Sequence, residues 1–125
     1  MKLKPEVHDD GVCREIWFAL GVAEGIHTAL FGAELIVTSL RDGTHNHGSL
    51  HPGGRAADVR TSDLNDEQVR DFIAHLKNAL ARDGFDVLRE VLGSTPATTA
   101  AHIHIGYAPK AGESFPARLA AAQRA

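Results

Sequence analysis

The chain carries one cysteine, one tryptophan, one tyrosine and one methionine in 125 residues, with no long apolar run and no large excess of either charge. The single cysteine, Cys13, excludes an intrachain disulfide and reads as a small core residue at the start of an expected helix. Charges interrupt every apolar stretch well before the roughly 20 residues that a membrane span needs. A formal net charge of −3, with acids and bases interspersed, leaves no basic footprint for nucleic acid. The opening Met1-Lys2-Leu3-Lys4-Pro5-Glu6 has no apolar core of a secretory signal, so synthesis in the cytoplasm is expected.

What remains is the composition of an ordinary globular protein, 43% hydrophobic and 23% charged. The length suits a single domain spanning residues 1–125, with its core over about 10–108 and a tail over 109–125. Asp9, Asp10 and Gly11 precede a helical pattern built on Val12, Ile16, Leu20, Ala23 and Leu30, which Gly32 ends. "AELIVTSL" (33–40) predicts a buried strand, 41–54 a loop, and "RAADVRT" (55–61) a second strand. In that strand Ala56, Asp58 and Arg60 share one face. Asp63 or Asn65 opens the clearest helix, with an apolar stripe of Val69, Phe72, Ile73, Leu76 and Leu80 and a stop at Gly84. "FDVLREVL" (85–92) and "AHIHIGYA" (101–108) predict an antiparallel hairpin with a long tip. A terminal helix from Pro116 is one reading of the tail, and a loose segment the other. The order predicts an α+β domain, with helices packed on a small, mainly antiparallel sheet.

Histidine is the residue in surplus. Of eight in the chain, His45, His47 and His51 fall in the glycine-rich loop and His102 and His104 in the last strand. His102 and His104 project from one sheet face while Ile103 and Ile105 turn to the core. Two imidazoles side by side on a half-buried face call for a partner, and His51 with Asp58 offers two more donors for a shared ion. Zinc is commonly held by three such ligands, with a fourth position left for water. His8, His27 and His75 stand alone and read as surface or internally satisfied residues.

"SLHPGGRAAD" matches Ser-x-His-x-x-Gly-x-Ala-x-Asp at Ser49, His51, Gly54, Ala56 and Asp58. This pattern resembles the signature of the M15-type D-alanyl-D-alanine peptidases and the wider group that shares their fold with the hedgehog signalling domain. The order "VTSLRDGTHNHGSLHPGGRAADVRT", "FDVLRE", "HIHIGY" is similar to small phage-encoded members of that group, over about residues 35–107. The resemblance implies a hedgehog/DD-peptidase-like fold and a bound Zn2+ held by His51, Asp58 and His104. It implies Glu90 as the general base toward the attacking water, with His102 stabilising the oxyanion or assisting proton transfer. Arg41 is expected to polarise the substrate carbonyl or hold a carboxylate, and Ser49 to steer His51. His45 also matches, without an assigned role. The contiguous His45-Asn46-His47 string does not resemble the nuclease motif of the same letters, which spreads its residues over a longer unit in usually basic chains.

The implied substrate is a peptide amide of bacterial peptidoglycan, cleaved by a carboxypeptidase or an endopeptidase. Action at the cell wall or within a virion is expected, with no nucleic-acid or membrane partner and no oligomeric state specified. One departure stands out: eleven residues, Val91 to Ala101, separate Glu90 from His102, where the family has only a few. A longer hairpin accommodates them if Val91 and Leu92 pair with Ala101 and Ala100. An alternative is a metal-stabilised module of the same fold that has lost hydrolysis; others are a hydrolase of a different small amide, or an interaction protein without metal.

Overall fold

The computed structural model describes residues 1–41, 50–91 and 101–109. Its elements are β1 (Lys2–Leu3), α1 (Arg14–Phe31), β2 (Ile36–Ser39), a 3-10 turn (His51–Gly53), β3 (Ala56–Arg60), α2 (Asp66–Leu80), a second 3-10 turn (Ala81–Asp83), β4 (Phe85–Glu90) and β5 (His102–Tyr107). The expected α+β class is observed: two helices pack on a five-stranded, mostly antiparallel sheet of order β1-β2-β3-β5-β4. The expected helix at Pro116 and the tip of the β4–β5 hairpin lie outside the described residues. No helix among the described residues is long and apolar enough to cross a membrane.

Local chemistry explains the helix ends. Cys13 occupies the N-cap of α1 in an extended conformation, so the helix starts two residues later than Val12 suggested. Burial pushes the Cys13 thiol above its ordinary value, as expected of an unreactive packing residue. Gly32 adopts the left-handed conformation, φ +63°, and its N–H returns to the Thr28 carbonyl at 2.8 Å. At α2, Asn65 accepts from the Gln68 N–H at 2.8 Å while the Gln68 side chain accepts from the Asn65 N–H at 2.9 Å, a closed capping box. The stripe foreseen for α2 is buried at Val69, Phe72, Leu76 and Leu80, with Ile73 packed at its margin. The α-helix ends at Leu80, and a 3-10 turn carries the chain to Gly84.

Alternation along the strands divides the sheet into two unlike faces. Val37, Val59, Val87, Ile103 and Ile105 turn toward α1 and α2 and join Ile16, Leu20, Phe72 and Leu76 in one core. Asp58, Glu90, His102 and His104 lie at the alternate positions, on the opposite face. His27 is buried but satisfied: its Nδ1 lies 2.7 Å from the Ala33 carbonyl, and its ring meets those of Phe31 and Phe72 edge-on.

The polar lead contributes a strand that the sequence pattern did not suggest. Lys2 and Leu3 pair in parallel with Ile36 and Val37. A two-residue strand is too short to show a period, and only the neighbouring edge of β2 defines it.

Candidate metal centre

Three segments deliver the donors. The turn after Leu50 carries His51, the middle of β3 carries Asp58, and β5 carries His104 directly opposite Asp58 in the ladder. The turn is fixed by a close backbone approach. Gly54 has φ +73°, and a Cβ there would stand 2.0 Å from the Gly11 carbonyl oxygen. The Cys13 N–H donates to the Gly54 carbonyl at 2.9 Å, so the turn is sewn to the start of α1. Only glycine fits this position, which gives the glycine of the Ser-x-His-x-x-Gly-x-Ala-x-Asp pattern a physical reason. Ala56, two residues before Asp58 in β3, is fully buried and pairs with Gly106 of β5.

His51 is buried, and its ring is oriented from behind. Its Nδ1 donates to the Leu40 carbonyl at 2.5 Å, which directs Nε2 inward. The register between β2 and β3 shifts between Val37 and Ser39, just before Leu40 supplies that carbonyl. His51 Nε2 lies 3.1 Å from Asp58 Oδ1 and 3.2 Å from His104 Nδ1, and His104 Nδ1 lies 3.1 Å from the same Asp58 oxygen. The three atoms form a nearly equilateral triangle.

The triangle fits a metal. Ligand atoms roughly 2.0 Å from a tetrahedral zinc stand about 3.3 Å apart, close to all three edges. Two imidazoles and one carboxylate are also a donor set that zinc accepts. Among the described residues this is the one group of three or more such donors lying within 4.8 Å of one another.

The electrostatics follow from the same contacts. Burial opposes ionisation of Asp58, but hydrogen bonds from His104 and His51, with the charges of His51 and His102, override it and hold the carboxyl well below its usual range. Burial pulls the His51 pKa down, while the Asp58 hydrogen bond and charge, the Leu40 carbonyl and Glu90 pull it up, and the net result is raised. The cluster is a preformed anionic seat beside a histidine that carries a proton more readily than usual.

The remaining expected residues fall at different distances from this triangle. Glu90 and His102 form the last pair of the β4–β5 ladder, with Glu90 Oε2 3.2 Å from His102 Nε2. That same nitrogen is 3.4 Å from Asp58 Oδ2, so His102 links Glu90 to the free side of the Asp58 carboxylate. Glu90 thus lies across from the strand that carries His104, but the ladder ends at this rung without the expected Val91–Ala101 pair, and the expected Leu92–Ala100 pair lies outside the described residues. Arg41 is exposed, and its Nε–H donates to the Pro52 carbonyl at 3.1 Å, which ties it to the His51 turn. Ser49, His45 and His47 lie outside the described residues.

The sequence reading did not find the Leu40 carbonyl or the Gly11–Gly54 approach, because backbone groups carry no residue-type signal. A further constraint surfaces at Gly106: a Cβ there would meet Leu50 Cδ1 at 3.0 Å and His104 Nε2 at 3.2 Å. Comparison with protein-family models and with curated proteins returns no match for this chain.

Proposed function

We propose that this chain is a zinc-dependent peptidase of the M15/hedgehog type, hydrolysing peptide amide bonds of bacterial peptidoglycan. The observation that carries the reading is the coincidence of the His51–Asp58–His104 triangle with the sequence pattern that resembles this family. Zinc held by these residues would lower the pKa of a water toward about 7 and polarise the scissile carbonyl. Glu90 takes the proton from the attacking water and passes it to the leaving amine. Of the two roles expected for His102, proton transfer suits its 3.2 Å approach to Glu90 Oε2. His102 also fixes the Glu90 carboxylate through its simultaneous contact with Asp58. Arg41 stands on the turn that carries His51, where a substrate carboxylate is within its chemical competence.

Peptidoglycan as the substrate, and action at the wall or from a virion, rest on the family resemblance alone. A second reading, a metal-stabilised module without hydrolysis, is favoured by the position of His102, whose Nε2 stands between Glu90 Oε2 at 3.2 Å and Asp58 Oδ2 at 3.4 Å.

Metal analysis of chelator-free wild type and His104→Ala, followed by muropeptide digestion with Glu90→Gln as control, separates the readings. One zinc per chain, lost in His104→Ala, with cleavage abolished in Glu90→Gln, supports the peptidase. Zinc without cleavage of any muropeptide supports the inactive module. Absence of zinc after equilibration with the metal overturns both.

A further inference from the structure

The Asp58 carboxylate has two oxygens, and the triangle uses only Oδ1. Oδ2 faces His102 Nε2 at 3.4 Å, and that nitrogen is 3.2 Å from Glu90 Oε2. One imidazole nitrogen thus stands between two carboxylate oxygens, two edges close to the roughly 3.3 Å of a tetrahedral zinc site, while Asp58 and Glu90 stand farther apart from each other than the donors of the first set.

We propose that His102, Glu90 and Asp58 Oδ2 form a second, weaker site for a divalent transition cation, which shares the Asp58 carboxylate with the first. A carboxylate whose two oxygens point to separate donor sets is the usual bridge between ions held about 3.5–4 Å apart. The donor set, one imidazole and two carboxylates, suits zinc and its first-row neighbours.

Two observations make this site the weaker one. The first set is already gathered within 4.8 Å, whereas the second has to close around its ion by movement of Glu90. Glu90 is the last residue of β4, and its side chain is 25% exposed, so it has room to do so. Two dications facing two carboxylates and neutral imidazoles also leave positive charge in excess, which penalises the second to arrive.

Occupancy has a regulatory consequence that rests on the proposed peptidase reading. A cation on Glu90 and His102 removes the base and its proton partner, so zinc in excess of one equivalent inhibits hydrolysis. The stoichiometry itself does not depend on hydrolysis.

The test is a zinc titration of the full chain, stripped of metal and followed by calorimetry and native mass spectrometry. The expected result is two ions per chain in two steps, the second at least about tenfold weaker, and weakened about tenfold or more again in Glu90→Gln and in His102→Ala. Both variants keep the first step, whereas His104→Ala loses it. Far-UV circular dichroism of each variant establishes that it is folded, and the isosteric Glu90→Gln change at a strand end preserves the sheet. A single ion per chain at saturating zinc overturns the proposal. So does a second step unchanged in both variants, which places that ion on other histidines. Two-step binding with no muropeptide cleavage supports the second site while overturning the peptidase reading alone.

Discussion

Glu90 and His102 face each other across the last rung of the β4–β5 ladder, with Oε2 3.2 Å from Nε2, although eleven residues of chain lie between them. Antiparallel pairing makes that intervening length irrelevant to their separation, since register alone sets it. A pattern read as linear spacing treats these residues as a defect. The ladder absorbs it.

The pair predicts an unequal loss of activity on mutation. Glu90→Gln should lower the turnover of muropeptide hydrolysis by about 10^2–10^4, while one zinc stays bound. His102→Ala should lower it less, because it removes the partner of the base and leaves the base in place. Steady-state kinetics beside metal content decides this; equal losses with metal missing would make both residues structural.

Asp58 predicts the opposite pattern. Asp58→Asn keeps the shape but removes the charge that His51 and His104 gather around. Its zinc affinity should fall by more than the roughly 10–100-fold typical of losing an outer hydrogen-bond partner. Competition with a chromogenic chelator measures it, and unchanged affinity would remove Asp58 from the ligand set.

The two perturbed groups predict how metal and acid compete. His51, raised above its ordinary value of 6.5, holds a proton that zinc must displace from Nε2, so affinity should rise as pH passes upward through this window. Asp58 is already ionised there and contributes no proton. In the metal-free chain the signs differ between the two groups. The depressed Asp58 contributes stability that is complete above 3.8 and lost as pH falls through its folded value. The raised His51 contributes stability that is complete below 6.5 and lost as pH rises through its folded value. The gain in Tm on adding zinc should therefore widen as pH climbs above 6.5, and a pH-independent gain would contradict the assignment.

Gly54 predicts a coupling between the turn and the metal. Alanine there combines a strained φ of +73° with a clash against the Gly11 carbonyl. Strain of this kind costs on the order of 1–3 kcal/mol. Gly54→Ala should lower Tm and also weaken zinc binding, because relief of the clash moves His51. Gly53→Ala, where a Cβ meets nothing within 4 Å, is the control that should change neither.

Much of this architecture is legible in the sequence, for identifiable reasons. The α2 stripe and its Asn65 cap are local signals, repeated every turn, and they placed the helix and its buried face. The His-x-His alternation in β5 fixed which residues face the core and which face the site, because a strand has only two sides. The strand order was less accessible, since β5 inserts between β3 and β4 through pairings that no local pattern records. Backbone contributors were invisible altogether: the Leu40 carbonyl behind His51 and the Gly11–Gly54 approach depend on where the chain runs rather than on side-chain type.

The placement of β5 has a consequence for the order in which the protein acquires its properties. His51 and His104 are 53 positions apart, yet their ring nitrogens lie 3.2 Å from each other. A chain emerging from the ribosome displays His51, Asp58 and Glu90 before it contains His104. Until β5 slots between its neighbours, the available donors make an incomplete claim on any ion. A bound metal would thus certify that the sheet is assembled, on the signature of the last of its described strands to be made.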